Sequence, residues 1–291
     1  MLEATGISHS FQRGTRFHRR VLHGLSVRLE PGQAVLLTGP SGSGKTTLAR
    51  ILAGLERPTE GVVCLQGRNL YGSAKRKATF APAQVVMACQ YPERQFIAGT
   101  VHEELSWGLR AGLGMEEPEI SRRLMKICAD LDFPLVELAH RCPRSLSSGQ
   151  QRKVALASLL VLEPRVLISD EPFAGLNTRE RRNVAQVLRR RSDAHGIMVL
   201  IAHELDPLLS WASRVLVISA GRLIFDGSVE GLYAHKDASV EAALSLPPLL
   251  ELSRYLKQQA WTEGPVSNDL AVVYRQVREA LEAGSQARHA H

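Results

Sequence analysis

Two stretches of alternating apolar and polar residues open the chain, Glu3 to Phe11 and Val21 to Leu29; in the second, Leu25, Val27 and Leu29 share one face. A period of two predicts antiparallel strands with one exposed side, joined by the basic loop Gln12 to Arg20. The pattern then changes. Ala34 to Thr38 is a continuous apolar run bounded by Pro31-Gly32, as a strand buried on both faces should be, and Leu48, Leu52 and Leu55 follow at helical spacing. Pro58 to Gly61 reads as a turn, Gly61 to Leu65 as a returning strand, and Gln84 to Cys89 as a further apolar strand. Thr100 to Arg110 and Pro118 to Leu131 read as helices, the second with Leu124, Ile127, Cys128 and Leu131 on one face. The apolar helix Val154 to Leu162 is stopped by Pro164, and the stretch Val166 to Pro172 begins a short strand that ends in the two acids Asp170 and Glu171. Ile197 to Ala202 is another apolar strand; Val215 to Ile218 and Leu223 to Phe225, split by Ala220-Gly221-Arg222, form a hairpin. Apolar strands separated by helices predict an α/β fold with a largely parallel core sheet.

Beyond Ser228 the pattern no longer fits that core. Leu244, Leu249, Leu252 and Leu256 are interrupted by Pro247-Pro248, and Val273, Val277 and Leu281 mark a second helical stripe. The expected organisation is a main unit over residues 2–230, a helical insert at about 91–162, a small helical extension over 231–283 and a polar, mobile tail over 284–291.

Composition narrows the picture. With 291 residues the chain can bury a substantial core. No apolar run reaches the eighteen residues or so that a membrane helix requires. The start, Met1 to Thr5, has neither a basic cluster nor an apolar signal core, so a cytosolic chain is expected. The four cysteines, Cys64, Cys89, Cys128 and Cys142, contain no C-x-x-C pair and read as small hydrophobes in a reducing compartment. The formal charge of +7 comes from short clusters with few aromatics between them, since aromatics make up 5% of the chain, so no nucleic-acid partner is expected.

The chemistry concentrates after the first buried strand. Gly39, Pro40, Ser41, Gly42, Ser43, Gly44, Lys45 and Thr46 match G-x-x-x-x-G-K-[ST], in which a glycine-rich loop turns backbone N–H groups onto the phosphates of one nucleotide. Lys45 would reach the outer phosphates, Thr46 would offer its hydroxyl to Mg²⁺, and Thr47 continues the helix whose positive end faces the anion. Phe11, ending its strand, could stack on an adenine or simply close the core. Asp170 and Glu171 follow an apolar strand, where an Asp beside a phosphate loop holds Mg²⁺ and a Glu can take a proton from water. His203 ends the next apolar strand and is expected at the same carboxyl edge, and Gln90 lies just past another.

In this order the landmarks resemble the nucleotide-binding subunits of ABC transporters, over about residues 2–230. The phosphate loop corresponds to the family's Walker A, Gln90 to its Q-loop, Leu146-Ser147-Ser148-Gly149-Gln150 to its signature, Asp170-Glu171 to the end of Walker B, and His203 to its switch histidine. Within the family the chain looks most like the ATPases of energy-coupling factor importers, through Gln90-Tyr91-Pro92-Glu93-Arg94-Gln95-Phe96, the basic loop before Val21 and the C-terminal extension. The resemblance implies a P-loop NTPase cassette: a RecA-like core, an antiparallel β subdomain, a helical subdomain and a C-terminal helical extension. It implies ATP and Mg²⁺, a head-to-tail dimer with itself or a paralogous ATPase, transmembrane transport subunits as partners, and a peripheral position on the cytoplasmic face of the membrane.

For single residues the resemblance implies that Ser147, Ser148, Gly149 and Gln150 cover the partner's ATP. Glu171 would polarise water and His203 would hold the γ-phosphate. Asp170, Thr46 and Gln90 would serve the metal, with Gln90 reporting its presence to the membrane partner. Three departures stand out: Ser148 for the first glycine of L-S-G-G-Q, Asn177 for an Asp, and Ser169 in a strand position that is usually apolar. The alternatives are a non-transport ABC ATPase acting on ribosomes or DNA, and a partner subunit that binds ATP but hydrolyses it weakly.

Overall fold

The fold is taken from a computed structural model that describes residues 1–12, 14–72, 84–91, 96–202, 211–235, 237, 240, 243–244, 248–267 and 269–289. His203 and residues 92–95 lie outside these. Two sheets form the frame. The first has the order β2-β1-β4-β5 and is antiparallel: β1 (Leu2–Phe11), β2 (Arg19–Leu29), β4 (Glu60–Leu65) and β5 (Arg68–Asn69). The second has the order β10-β9-β3-β8-β7-β6, where β3 (Ala34–Thr38), β6 (Val85–Ala88), β7 (Val166–Asp170), β8 (Ile197–Ile201) and β9 (Arg214–Ser219) run parallel. Strand β10 (Arg222–Gly227) returns antiparallel at the edge.

All five residues of β3, β7 and β8 are buried, because the parallel sheet is covered on both faces. Alternate residues feed two cores. Val35, Leu37, Val166, Ile168, Val199 and Ile201 pack with the antiparallel sheet and with Leu48, Ile51 and Leu52 of α1 (Lys45–Leu52). Leu36, Leu167, Met198 and Leu200 face the helical side. That side is built from α2 (Val101–Trp107), α3 (Glu117–Asp130), the short α4 (Leu135–Leu138), α5 (Ser148–Leu160) and α6 (Thr178–Asp193). Helix α2 is set by Thr100, which caps it in a reciprocal box with Glu103, while buried Glu104 accepts the N–H groups of Ile97 and Ala98 at 2.9 Å each.

The extension consists of α7 (Val229–Ala234), α8 (Pro248–Gln258) and α9 (Leu270–His289). Arg254 of α8 donates to the carbonyls of Leu232 and Tyr233, which fastens α8 to the last turn of α7. Helix α9 runs on to His289, since Gln286, Ala287 and Arg288 are good helix formers and the single Gly284 does not stop them. All four cysteines are free, and burial pushes the Cys128 thiol up to about 12.

Candidate active site

The parallel strands deliver the chemistry to one edge. Asp170 pairs with Ile201 and Leu37 also pairs with Ile201, so the ends of β3, β7 and β8 lie level, and the phosphate loop springs from the end of β3. The loop's path is fixed by two glycines. At Gly39 (φ 137°) an added Cβ would sit 2.0 Å from the Ile218 carbonyl oxygen, and at Gly44 (φ 105°) it would meet Leu22 Cδ2 at 2.7 Å. The loop is therefore wedged between β9 and β2. Hydrogen bonds from Ser43 N to the Pro40 carbonyl (3.2 Å) and from Gly221 N to the Ser43 carbonyl (3.0 Å) hold it there.

Within this frame Lys45 is buried, and its ammonium donates to the carbonyls of Gly39 and Pro40 at 2.8 Å each. Burial lowers its pKa; the charges of Asp170 and Glu171 pull it back up. The Thr46 hydroxyl donates to Asp170 Oδ2 at 3.0 Å. Next to the loop lies a cavity of about 310 Å³ lined by Phe11, Arg19, Val21, Ser41, Gly42, Gly44, Lys45, Thr46, Thr47, Gln90, Asp170 and Ile201. Phe11 is partly exposed at the rim and meets His9 edge-on, with centroids 4.6 Å apart.

The residues fit a bound triphosphate and a hard cation. Among the described residues the Ser43 hydroxyl is buried with no partner, Lys45 is a desolvated cation at the loop, and Thr46 and Asp170 supply adjacent oxygens. Among the described residues no group of three or more His, Cys, Asp or Glu side chains gathers for a metal. A Thr–Asp oxygen pair completed by phosphates suits Mg²⁺, which is seldom held by an all-protein cage.

Glu171 stands just outside the cavity, at φ 52°, with its N–H donating to the Ile201 carbonyl at 2.9 Å. Its carboxylate still acts on the Lys45 charge. The signature residues lie elsewhere in the chain: none of Ser147, Ser148, Gly149 or Gln150 lines the cavity. They form the start of α5. Ser147 is the N-cap, accepting from Gln150 N at 3.3 Å while Gln150 Oε1 accepts from Ser147 N at 3.1 Å. The helix thus begins at Ser148 rather than at Val154, and the spacing S-x-x-Q is the capping signal that marks it.

Two of the three departures gain a structural account. Asn177 is the N-cap of α6, in a reciprocal box with Glu180. Ser148 is exposed beside Gly175, where a Cβ would lie 3.4 Å from the Ser148 hydroxyl. Ser169 is wholly buried, and among the described residues its hydroxyl has no partner. Sequence reading missed Arg19, Val21 and Ile201 as lining residues. Arg19 pairs directly with Phe11 across the β1–β2 ladder, so knowledge of that register would have brought it to the cavity.

Residues 22–174 match the family model described as ABC transporter. The chain belongs to the ABC transporter family. Its relatives among ABC proteins include two called energy-coupling factor transporter ATP-binding protein EcfA2. The one from Symbiobacterium thermophilum is 34% identical, covering 91% of this chain and 92% of the relative; the one from Acetivibrio thermocellus is 30% identical, covering 96% and 97%. Among solved structures, the dimeric bacterial ABC transporter cassette MJ0796 superposes with a TM-score of 0.72 at 21% identity, covering 79% of this chain and 99% of that one. The cbiO1 protein of Clostridium perfringens, described as part of the ABC transporter complex cbiONQ, gives 0.69 at 24% identity over 89% and 96%. The fold is that of an ABC ATPase cassette.

Proposed function

We propose that this chain is the ATP-hydrolysing subunit of an energy-coupling factor type importer and works as one half of a head-to-tail ATPase dimer. One observation carries the reading: the phosphate cavity and the signature are both well formed, yet they lie apart in the same chain. Charge on a departing γ-phosphoryl spreads over oxygens that one loop cannot surround, so a signature from a second cassette is needed to complete the enclosure. EcfA2 proteins of similar length at 30–34% identity support the importer class.

In this reading the loop amides and Lys45 bind the phosphates, and Phe11 flanks the base. Thr46 and Asp170 hold Mg²⁺, with Gln90 facing the same space. The ion supplies neutralisation of charge on the phosphate oxygens. Glu171 accepts the proton of the attacking water, and His203, outside the described residues, steadies the γ-phosphate. Ser147 and Gly149 contact the partner's nucleotide from the start of α5, whose positive end faces it.

The second ATPase is this chain again or a paralogue. The extension offers it a further contact, because Leu252, Tyr255, Trp261, Leu270, Tyr274 and Leu281 are exposed there. No helix among the described residues is long and apolar enough to cross a membrane. In this reading the transmembrane subunits are separate chains, and this one sits peripherally on their cytoplasmic side. With Asn177 assigned to a helix cap, the weakly hydrolysing alternative keeps only Ser148 in its favour.

The test is Glu171→Gln in the full chain. Hydrolysis is expected to fall by about 10²- to 10⁴-fold, the range typical for loss of a general base. Mg-ATP should then shift the variant to twice the monomer mass in solution. A Glu171→Gln protein that hydrolyses at the wild-type rate overturns the mechanism.

A further inference from the structure

A single side chain joins the two separated halves of the site. Arg152, near the start of α5, is only 6% exposed. Its Nη2 donates to the Gln90 carbonyl at 2.7 Å and its Nη1 to the Cys89 carbonyl at 3.2 Å. These are the two residues that follow β6, and Gln90 lines the phosphate cavity. The planar guanidinium fork thus grips two consecutive peptides from a helix that opens with Ser147 and Gly149. The next residue fixes the other side of the same turn. Lys153 pairs with Glu180 of α6 at 3.1 Å and donates to the Asp132 carbonyl at 3.1 Å.

We propose that Arg152 is a positioning residue that links Gln90 to the signature helix, so that nucleotide in a subunit's own cavity sets where that subunit presents Ser147 and Gly149 to its partner's ATP. This rests on the dimer reading above. The physical reasoning is direct. A flexible loop absorbs a shift of Gln90, whereas a two-pronged bond from a buried guanidinium passes it on, because parting the two carbonyls from the guanidinium would break two hydrogen bonds to a charged group. Gln90 faces its own cavity and the signature faces the partner's, so the link runs from one nucleotide to the other through a few bonded groups. Arg152 touches neither nucleotide in this scheme and acts only through Gln90 and α5.

The experiment is a double-mutant cycle on kcat with the full ATPase, alone and in its membrane complex, using Arg152→Met, Gln90→Ala and the double variant. Each single change is expected to lower kcat by about tenfold or more, and the double variant to be no slower than the worse single one, since both cut the same link. Affinity of Arg152→Met for Mg-ATP, read by direct binding, should stay within about twofold, and Arg152→Lys, which keeps the charge and part of the bonding, should recover part of the rate. A merely structural arginine would lower rate, affinity and thermal midpoint together. Should Arg152→Met fail to fold, the same cycle is run with Arg152→Lys. Losses that multiply in the double variant, or an Arg152 variant with unchanged kcat, overturn the proposal while leaving the nucleotide site standing. A wild-type chain that binds no Mg-ATP instead removes the site reading beneath it.

Discussion

The hydroxyl of Thr46 donates to the carboxylate of Asp170 across 3.0 Å, joining the first turn of α1 to the last residue of β7. Two elements separated by more than a hundred residues of sequence therefore meet at one pair of oxygens. Asp170 is 6% exposed, so its charge is held where a cation would be strongly favoured. Asp170→Asn is expected to lower Mg²⁺-dependent hydrolysis by about 10²-fold or more. Removal of Mg²⁺ with a chelator should abolish wild-type turnover. Steady-state ATPase assays over a Mg²⁺ titration check both outcomes.

Gly39→Ala is expected to unfold the loop's seat. The new methyl would lie 2.0 Å from the Ile218 carbonyl oxygen at a φ of 137°, which combines a backbone collision with a strained conformation. A loss of at least about 2 kcal/mol follows from such a combination. Chemical denaturation of the chain without nucleotide measures it.

The Lys45 ammonium provides a test by pH. Burial holds its folded-state pKa below the ordinary 10.5, while the unfolded chain keeps the ordinary value. Between the two values the unfolded chain binds the extra proton, so folding gains stability as pH rises through that window. The cost of the buried charge is complete below the folded pKa and gone above 10.5. Thermal midpoints of wild type and Lys45→Met, both without nucleotide, should therefore shift in favour of wild type as pH climbs toward 10.5. Parallel curves for the two proteins would contradict this.

Arg19 and Phe11 face each other across the β1–β2 ladder and both line the phosphate cavity. Arg19 is exposed, and no partner is seen for it among the described residues. Arg19→Ala is expected to weaken Mg-ATP binding by about tenfold, the loss of one charge-assisted contact, and to leave stability within about 0.5 kcal/mol. Isothermal titration together with thermal unfolding separates the two effects.

Ser169 buries a hydroxyl with no hydrogen-bond partner among the described residues, in a strand whose other residues are packed on both faces. Ser169→Ala should be neutral or stabilising, by up to about 1 kcal/mol, with hydrolysis unchanged. Equilibrium unfolding decides it.

Much of the site was legible in the chain because its parts are local. The phosphate loop is one unbroken run, and Asp170 and Glu171 end a strand whose apolar character is visible without any partner. Other features depend on contacts across long separations. Arg19 reaches the cavity only through its register with Phe11, and Arg152 meets Gln90 only once α5 packs against the end of β6. Helix α6 was hidden by its own charge. Among its sixteen residues only Val184, Val187, Leu188 and Ser192 are buried, so its apolar stripe is too thin to stand out among the charges. The placement of His203 belongs to none of these, since it lies outside the described residues.

The cap at Ser147 has a consequence of its own. In holding α5 the side chain uses only an acceptor site on its oxygen, which leaves the hydroxyl proton to give away. An Asp or Asn here would keep the helix as well capped while changing what the proposed dimer would turn toward a neighbour's nucleotide. Architecture and competence are thus set by different atoms of the same small group, and a chain that purifies, melts and crystallises normally can still be silent.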